Sequence, residues 1–214
     1  MSLFAEAASL NNQAILSLIE GDDRVAIKSM TDSIKLLKEE LAKPVTAVFA
    51  DMKSTADVGD FEAVEIPDCR SSDHHHEIFN QAIHLPYISE GSHLVVQVYS
   101  AAVIFNLALA HHRQGLHGNS AYRQKAIKLY SMVLRILDDS LIDFRTAVMV
   151  KLATINNLAQ IQFAIGDYQE ARTGLSHLPG VVRLARSDVL ADPQVQRLLM
   201  TVLMIREPKL AAAA

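Results

Sequence analysis

The chain has a single cysteine, Cys69, in 214 residues. One cysteine excludes an internal disulfide framework and a cysteine-based metal site. Its plain role is a free thiol in a loop of a reducing compartment. Basic clusters are missing too: 20 Lys and Arg are mixed among 24 Asp and Glu, for a net charge of −4. A nucleic-acid surface gathers its basic residues into a patch or stripe. With aromatics at 6%, no stacking platform for single strands stands out either. The N-terminus lacks a basic segment ahead of an apolar run, so no secretory signal is expected. No Gly-rich phosphate loop, HExxH pair, Ser–His–Asp order or carboxylate pair can be picked out. That leaves no catalytic residue and no cofactor to name. What is there is hydrophobic: half of all residues, enough for the core of one domain.

The densest apolar stretch, residues 92–115, is followed by a second helical pattern, 120–137. The first carries Leu94, Val95, Val96, Val98, Ala101, Ala102, Val103, Ile104, Phe105, Leu107, Ala108 and Leu109, with Ser92 as a cap candidate. A helix apolar on most sides is buried on several sides. Gln97, Ser100 and Asn106 interrupt it, and His111, His112 and Arg113 end it. It therefore reads as a helix sandwiched in a soluble protein, not a membrane span. The second pattern, capped near Ser120, is amphipathic: Ala126, Ile127, Leu129, Tyr130, Val133, Leu134, Ile136 and Leu137 recur at three- and four-residue steps.

Parts of this pair recur. Asn12, Asn106 and Asn157 are each followed two residues later by Ala (Ala14, Ala108, Ala159) and nine residues later by Gly (Gly21, Gly115, Gly166). Asp follows the glycine in the first and third copies, with Ala26 and Ala171 five residues after it; in the middle copy the matching alanine, Ala126, comes later. These are internal repeats of a helix–turn–helix unit. They are unevenly spaced, where a regular array would recur about every 34 residues.

On Leu158, Ala159, Gly166, Asp167, Tyr168, Ala171 and Leu175 in the third copy, and Leu107, Ala108, Gly115, Ala126 and Tyr130 in the middle one, the chain resembles the tetratricopeptide-repeat family. Gln13 stands where the family has Leu, Ile104 and Ile155 replace its aromatic, and its closing Pro is absent. Over roughly residues 75–205, FNLALAHH, KAIKLY and NNLAQI resemble helical-repeat proteins of diatoms, a likeness that carries no activity. The resemblance implies an all-α fold. Antiparallel helix pairs of tetratricopeptide-like type would stack as a short right-handed solenoid, with a long irregular insertion. Residues 1–210 form one domain: a first pair over 1–43, the insertion over 44–91, two further pairs over 92–178, capping helices over 179–206, and a tail from 211 to 214.

Within that plan, residues 2–19 and 24–42 form the first pair, turning at Gly21–Asp22–Asp23, and Pro44 stops it. Residues 140–165 and 167–178 form the last pair, broken by Pro179–Gly180. A helix opening at Pro193 covers its apolar edge. The insertion carries Gly59, Pro67, Pro86 and Gly91, and a short helix or strand is expected at 45–52. Within it, residues 77–85 (EIFNQAIHL) form an apolar island. We expect this island to lie extended on the protein's own concave face, as an internal ligand.

Two chemistries compete. Asp73, His74, His75, His76 and Glu77 are zinc- or nickel-capable side chains, but neighbours in sequence point apart and the plain reading is a solvated loop. His111, His112 and Arg113 suit a helix C-terminus. The resemblance puts Asn12, Asn106 and Asn157 on the first helix of each pair, lining the concave face. There an amide can both donate to and accept from an extended backbone, or else bridge adjacent helices. The same register adds Asn11, Ile15, Phe105, Leu109, His112, Arg113, Asn156 and Gln160. Some family members hold a peptide C-terminus with several Lys or Arg here; Arg113 is the one basic residue in this set. The expectation is a non-catalytic, intracellular (cytoplasmic) interaction module. It binds a protein or peptide partner through Phe105, Asn106, Leu109, His112, Arg113, Asn156, Asn157 and Gln160, with no cofactor, metal, nucleic acid or membrane span. A metal-binding protein or metal-dependent enzyme using His74–Glu77, and a structural homodimer, are the alternatives.

Overall fold

The computed structural model describes residues 2–42, 61–67, 79–88, 93–116, 118–138 and 145–211. The protein is mostly helical. Its elements run α1 (Leu3–Ile19), α2 (Asp23–Leu41), β1 (Glu62–Glu65), β2 (Gln81–His84), α3 (His93–Leu116), α4 (Ser120–Asp138), α5 (Arg145–Ala164), α6 (Tyr168–Ser176), α7 (Leu178–Leu184), α8 (Ser187–Leu190) and α9 (Pro193–Ala211). Cys69, the expected element at 45–52, the His74–Glu77 cluster, Pro44, the Ser92 cap and residues 140–144 lie outside the described residues.

The first and third helix pairs turn in the same way. Gly21 and Gly166 sit at φ +83° and +81°, a left-handed conformation that costs glycine nothing. Beyond each, the Asp22 and Asp167 amides donate back to the Ser17 and Gln162 carbonyls, at 2.8 Å both times. This closes the spent helix in a Schellman turn. The same two aspartates then cap the next helix, accepting from the Val25 and Glu170 amides. The repeated Gly-Asp is thus a stop and a start in two residues.

The middle pair departs from that expectation. Gly115 is not its turn; α3 runs past it to Leu116, and the left-handed glycine is Gly118 (φ +90°). Asn119, not Ser120, supplies the side-chain oxygen that accepts from the Ala121 amide. Gly115 serves packing instead. A Cβ there would lie 2.6 Å from Arg123 Cγ and 3.1 Å from the Arg123 backbone nitrogen, so glycine lets α4 approach α3 closely.

Each pair packs against the next: α2 on α3, and α4 on α5. The first helices also meet directly, α1 with α3 and α3 with α5. In consequence α3 is buried from Val95 to Arg113 except at Gln97, and α5 from Thr146 to Phe163 throughout. An 18-residue window of α3 is long and apolar enough to cross a membrane, but 83% of it is inside the protein, as in a core helix.

Pro179 and Gly180 do not simply break α6. They lie in the first turn of α7, where proline's missing N–H is harmless. Asp192 accepts from the Gln194 and Val195 amides to start α9. Arg145 on α5 pairs with that aspartate at 2.6 Å and holds its carboxyl below the usual range. Val195, Leu198 and Val202 are buried where α9 covers α5 and α6. The helix continues to Ala211, five residues beyond the expected end at 206.

The insertion is not irregular throughout. β1 and β2 form an antiparallel pair, with Glu62 opposite His84 and Glu65 opposite Gln81. Phe61, Ile66, Ala82, Ile83 and Leu85 from this pair and its flanks join the main core.

Candidate functional site

The expected self-docked segment is present. Residues 79–85 lie extended against α1, α3 and α5; residues 77 and 78 lie outside the described residues. One asparagine from each of these helices holds both polar groups of one peptide residue. On α3, Asn106 Oδ1 accepts from the Ile83 amide and its Nδ2 donates to the Ile83 carbonyl, both at 2.8 Å. On α1, Asn12 does the same to Leu85, at 3.0 and 2.8 Å. On α5, Asn157 does so to Phe79, at 2.8 and 3.2 Å.

Geometry explains why one amide per helix suffices. In a strand, the N–H and C=O of one residue point to the same edge, alternating along the chain. Residues 79, 83 and 85 therefore turn one edge toward the helices. The other edge, at Asn80, Ala82 and His84, faces β1, where the Ile66 amide donates to the Asn80 carbonyl at 3.0 Å. From 79 to 85 a strand covers about 20 Å at 3.3 Å per residue. Two helix-to-helix steps cover about 16–20 Å. The segment is thus long enough to lie across all three helices, so that each can place an asparagine on it.

Sequence reasoning left open whether the asparagines face a backbone or bridge helices. They do both. Asn106 Nδ2 also donates to Asn11 Oδ1 of α1 at 2.9 Å, and Asn11 Nδ2 donates to the Ile83 carbonyl at 3.1 Å. Asn157 Nδ2 also donates to the Tyr130 hydroxyl of α4 at 3.1 Å. Asn156 on α5 donates to Asn157 Oδ1 at 3.0 Å, as Asn11 does to Asn12 Oδ1 at 3.2 Å. Thus in each Asn-Asn pair the first side chain orients the second. Buried amides satisfied in this way fix the site rigidly.

The remaining expected residues fall around these clamps. Arg113 reaches the segment, donating to the Pro67 carbonyl and Asn80 Oδ1 at 3.2 and 3.3 Å. Phe105 lies between Phe79 and Tyr130, ring centroids 6.2 and 5.8 Å away. His112 packs edge-on against Tyr130. Ile15 and Leu109 are buried core, and Gln160 is buried on α5. Every one of these positions is covered, so none offers an open surface.

Tyr99 and β1 were missed. The Tyr99 hydroxyl donates to the Pro86 carbonyl at 2.7 Å, and its ring sits 4.3 Å from Phe4 and 5.0 Å from Phe61. No repeat position marked it. The sequence carries little signal for β1: Glu62, Ala63, Val64 and Glu65 do not alternate between apolar and polar, and only Pro67 marks an end.

The electrostatics of the site favour neutral groups. His112 is pushed down to about 3 by burial, with Arg123 adding to the effect. Its Nδ1 is buried with no hydrogen-bond partner among the described residues, so a protonated ring would have nothing to donate to there. His111, stacked on Tyr122, is pushed down to about 4 by burial and by Lys125. Burial raises the hydroxyls of Tyr99 and Tyr130. Neutral donors and acceptors of this kind suit a peptide backbone, which carries no charge. Among the described residues, no group of three His, Cys, Asp or Glu side chains converges on a metal-sized site. Compared with known proteins, the chain matches no family model, no curated protein and no solved structure.

Proposed function

We propose that the chain is a non-catalytic, intracellular interaction module. In this reading it is a divergent tetratricopeptide-type protein whose helix pairs stack as a short right-handed solenoid. It binds an extended protein segment across α1, α3 and α5. The observation that carries the proposal is the set of three asparagines, one per first helix, each holding the N–H and C=O of a single residue. Such a row recognises main chain, and main chain is common to every protein partner.

The test is a displayed peptide library panned against the full chain. The chain would carry Ile83→Ser to loosen its own segment, after circular dichroism confirms that the helices persist. Enriched peptides should lose binding when Asn106→Ala is added. A library that yields no peptide dependent on Asn106 overturns the proposal.

A further inference from the structure

The helical face is occupied by the chain's own residues, and these define what else would fit. We propose that residues 79–86 act as a resident pseudo-ligand. The site then takes in trans a segment of another protein with the same features, and the resident segment restrains its access. This rests on the interaction-module reading above and names both its ligand class and its regulation.

The required features can be read one residue at a time. Ile83 and Leu85 are almost wholly buried, so their positions want branched aliphatic side chains, each worth about 1.5–3 kcal/mol on burial. Phe79 meets Phe105 ring to ring, which wants an aromatic. Ala82, opposite Val64 on β1, is fully buried and wants a small residue. Asn80 Oδ1 accepts from Arg113 and its Nδ2 donates to the Ile66 carbonyl, so its position wants an amide. Pro86 offers only a carbonyl, taken by Tyr99, and has no N–H to leave unpaired. The next residue, Tyr87, is exposed, so its position sets no demand, and Ile88 beyond it packs only partly against the core. The ligand class is therefore aromatic-Asn-x-Ala-aliphatic-x-aliphatic-Pro, held extended.

Restraint follows from connectivity. A segment on the same chain acts at an effective concentration of order 1 mM. For a site with an intrinsic Kd of about 10 μM, the resident segment weakens binding of a free peptide by about 1 mM over 10 μM, or roughly 100-fold. The native chain is then closed to weak ligands and open to partners that match the pattern at high local concentration.

Fluorescence anisotropy tests this with a labelled peptide of residues 77–88. Full-length wild type would be compared with a full-length Ile83→Ser, Leu85→Ser chain. We expect the variant to bind the peptide about 100-fold tighter than wild type does. A control peptide with Asp at the Ile83 and Leu85 positions should bind neither. Equal affinity for both chains overturns the restraint, and equal binding of the control peptide overturns the ligand class. If the double variant loses its helices, wild type alone decides by hydrogen exchange with the unlabelled peptide at millimolar concentration. The Ile83 and Leu85 amides of the chain should exchange faster while helical amides stay protected; unchanged exchange overturns the proposal. Library peptides that need Asn106 but lack this pattern would overturn the inference and leave the module reading standing. A library with no such peptide would overturn the module reading itself.

Discussion

α3 and α5 are buried alike and built differently. α3 reaches burial with Val, Ile, Leu, Phe and Ala along most of its length and, Ser100 apart, collects its buried polar residues, Asn106, His111, His112 and Arg113, toward its end. α5 buries Lys151, Thr154, Asn156, Asn157, Gln160 and Gln162 among its apolar residues. Several of these have partners: Lys151 faces the Leu137 carbonyl at 3.5 Å, Thr154 donates to the Val150 carbonyl at 2.6 Å, and Asn157 serves Phe79 and Tyr130, while Gln162 Oε1 is buried with no hydrogen-bond partner among the described residues. Burial thus follows from being surrounded, and composition decides only how the polar groups are satisfied. The two helices also receive their partners at different distances. α4 comes onto α3 over Gly115 with no room for a methyl group, whereas α6 leaves space at Gly174, where a Cβ would meet Gln162 Oε1 at 3.8 Å.

The clamps offer the strongest way to break this comparison. Asn106→Ala on α3 leaves the Ile83 amide and carbonyl buried, with only Asn11 remaining for the carbonyl. At about 1–3 kcal/mol per unsatisfied group, we expect a loss of about 3 kcal/mol in urea unfolding. Asn157→Ala on α5 should lose about 2 kcal/mol, because the Phe79 groups are only part-buried and water can replace the amide. Asn12→Ala at the edge should lose about 1 kcal/mol. A reversed order would mean that helix position, not burial, sets the cost.

Equal in size to the Asn157 effect is Gly115→Ala, expected to destabilise by about 2 kcal/mol through overpacking against Arg123. Calorimetric melting would check it, and an unchanged melting temperature would show that α4 yields easily.

The third prediction concerns acid. His112 has a folded value of about 3 against about 6.5 unfolded. A group lowered in this way stabilises the fold fully above pH 6.5, and that contribution is lost as pH falls toward 3. The slope is about 1.4 kcal/mol per pH unit. Stability measured from pH 7 to 4.5 should flatten in His112→Gln by about that slope. Parallel curves for the two proteins would place the imidazole in water. Smallest is Gly174→Ala, expected to stabilise α6 by about 0.5–1 kcal/mol, the opposite sign to Gly115→Ala.

Much of this was legible from residue identity. The Gly-Asp turns were visible because left-handed glycine and an N-capping aspartate are local requirements. α3 was visible because its burial is written in apolar residues. The asparagines were visible as a repeated position, and their neighbour segment as an apolar island. The middle turn misled, because Gly115 occupies the repeat position of a turn while doing a packing task that only Arg123, on another helix, reveals. β1 was hidden because its pairing with β2 is non-local and only four residues long. Tyr99 was hidden because a tyrosine in an apolar helix looks like core until its hydroxyl finds Pro86.

The uneven repeat spacing also has its explanation here. The long interval between Asn12 and Asn106 holds the strand pair that the two asparagines grip.

One consequence concerns parity. The helices take the peptide groups of odd-numbered residues 79, 83 and 85, and β1 takes the even-numbered edge. Adding one residue between 79 and 83 would exchange the edges and turn Ile83 and Leu85 to the opposite face relative to Phe79. Replacing a side chain there disturbs a single pocket. A change in the number of residues there would therefore disturb every clamp and pocket beyond it at once, which no single replacement does.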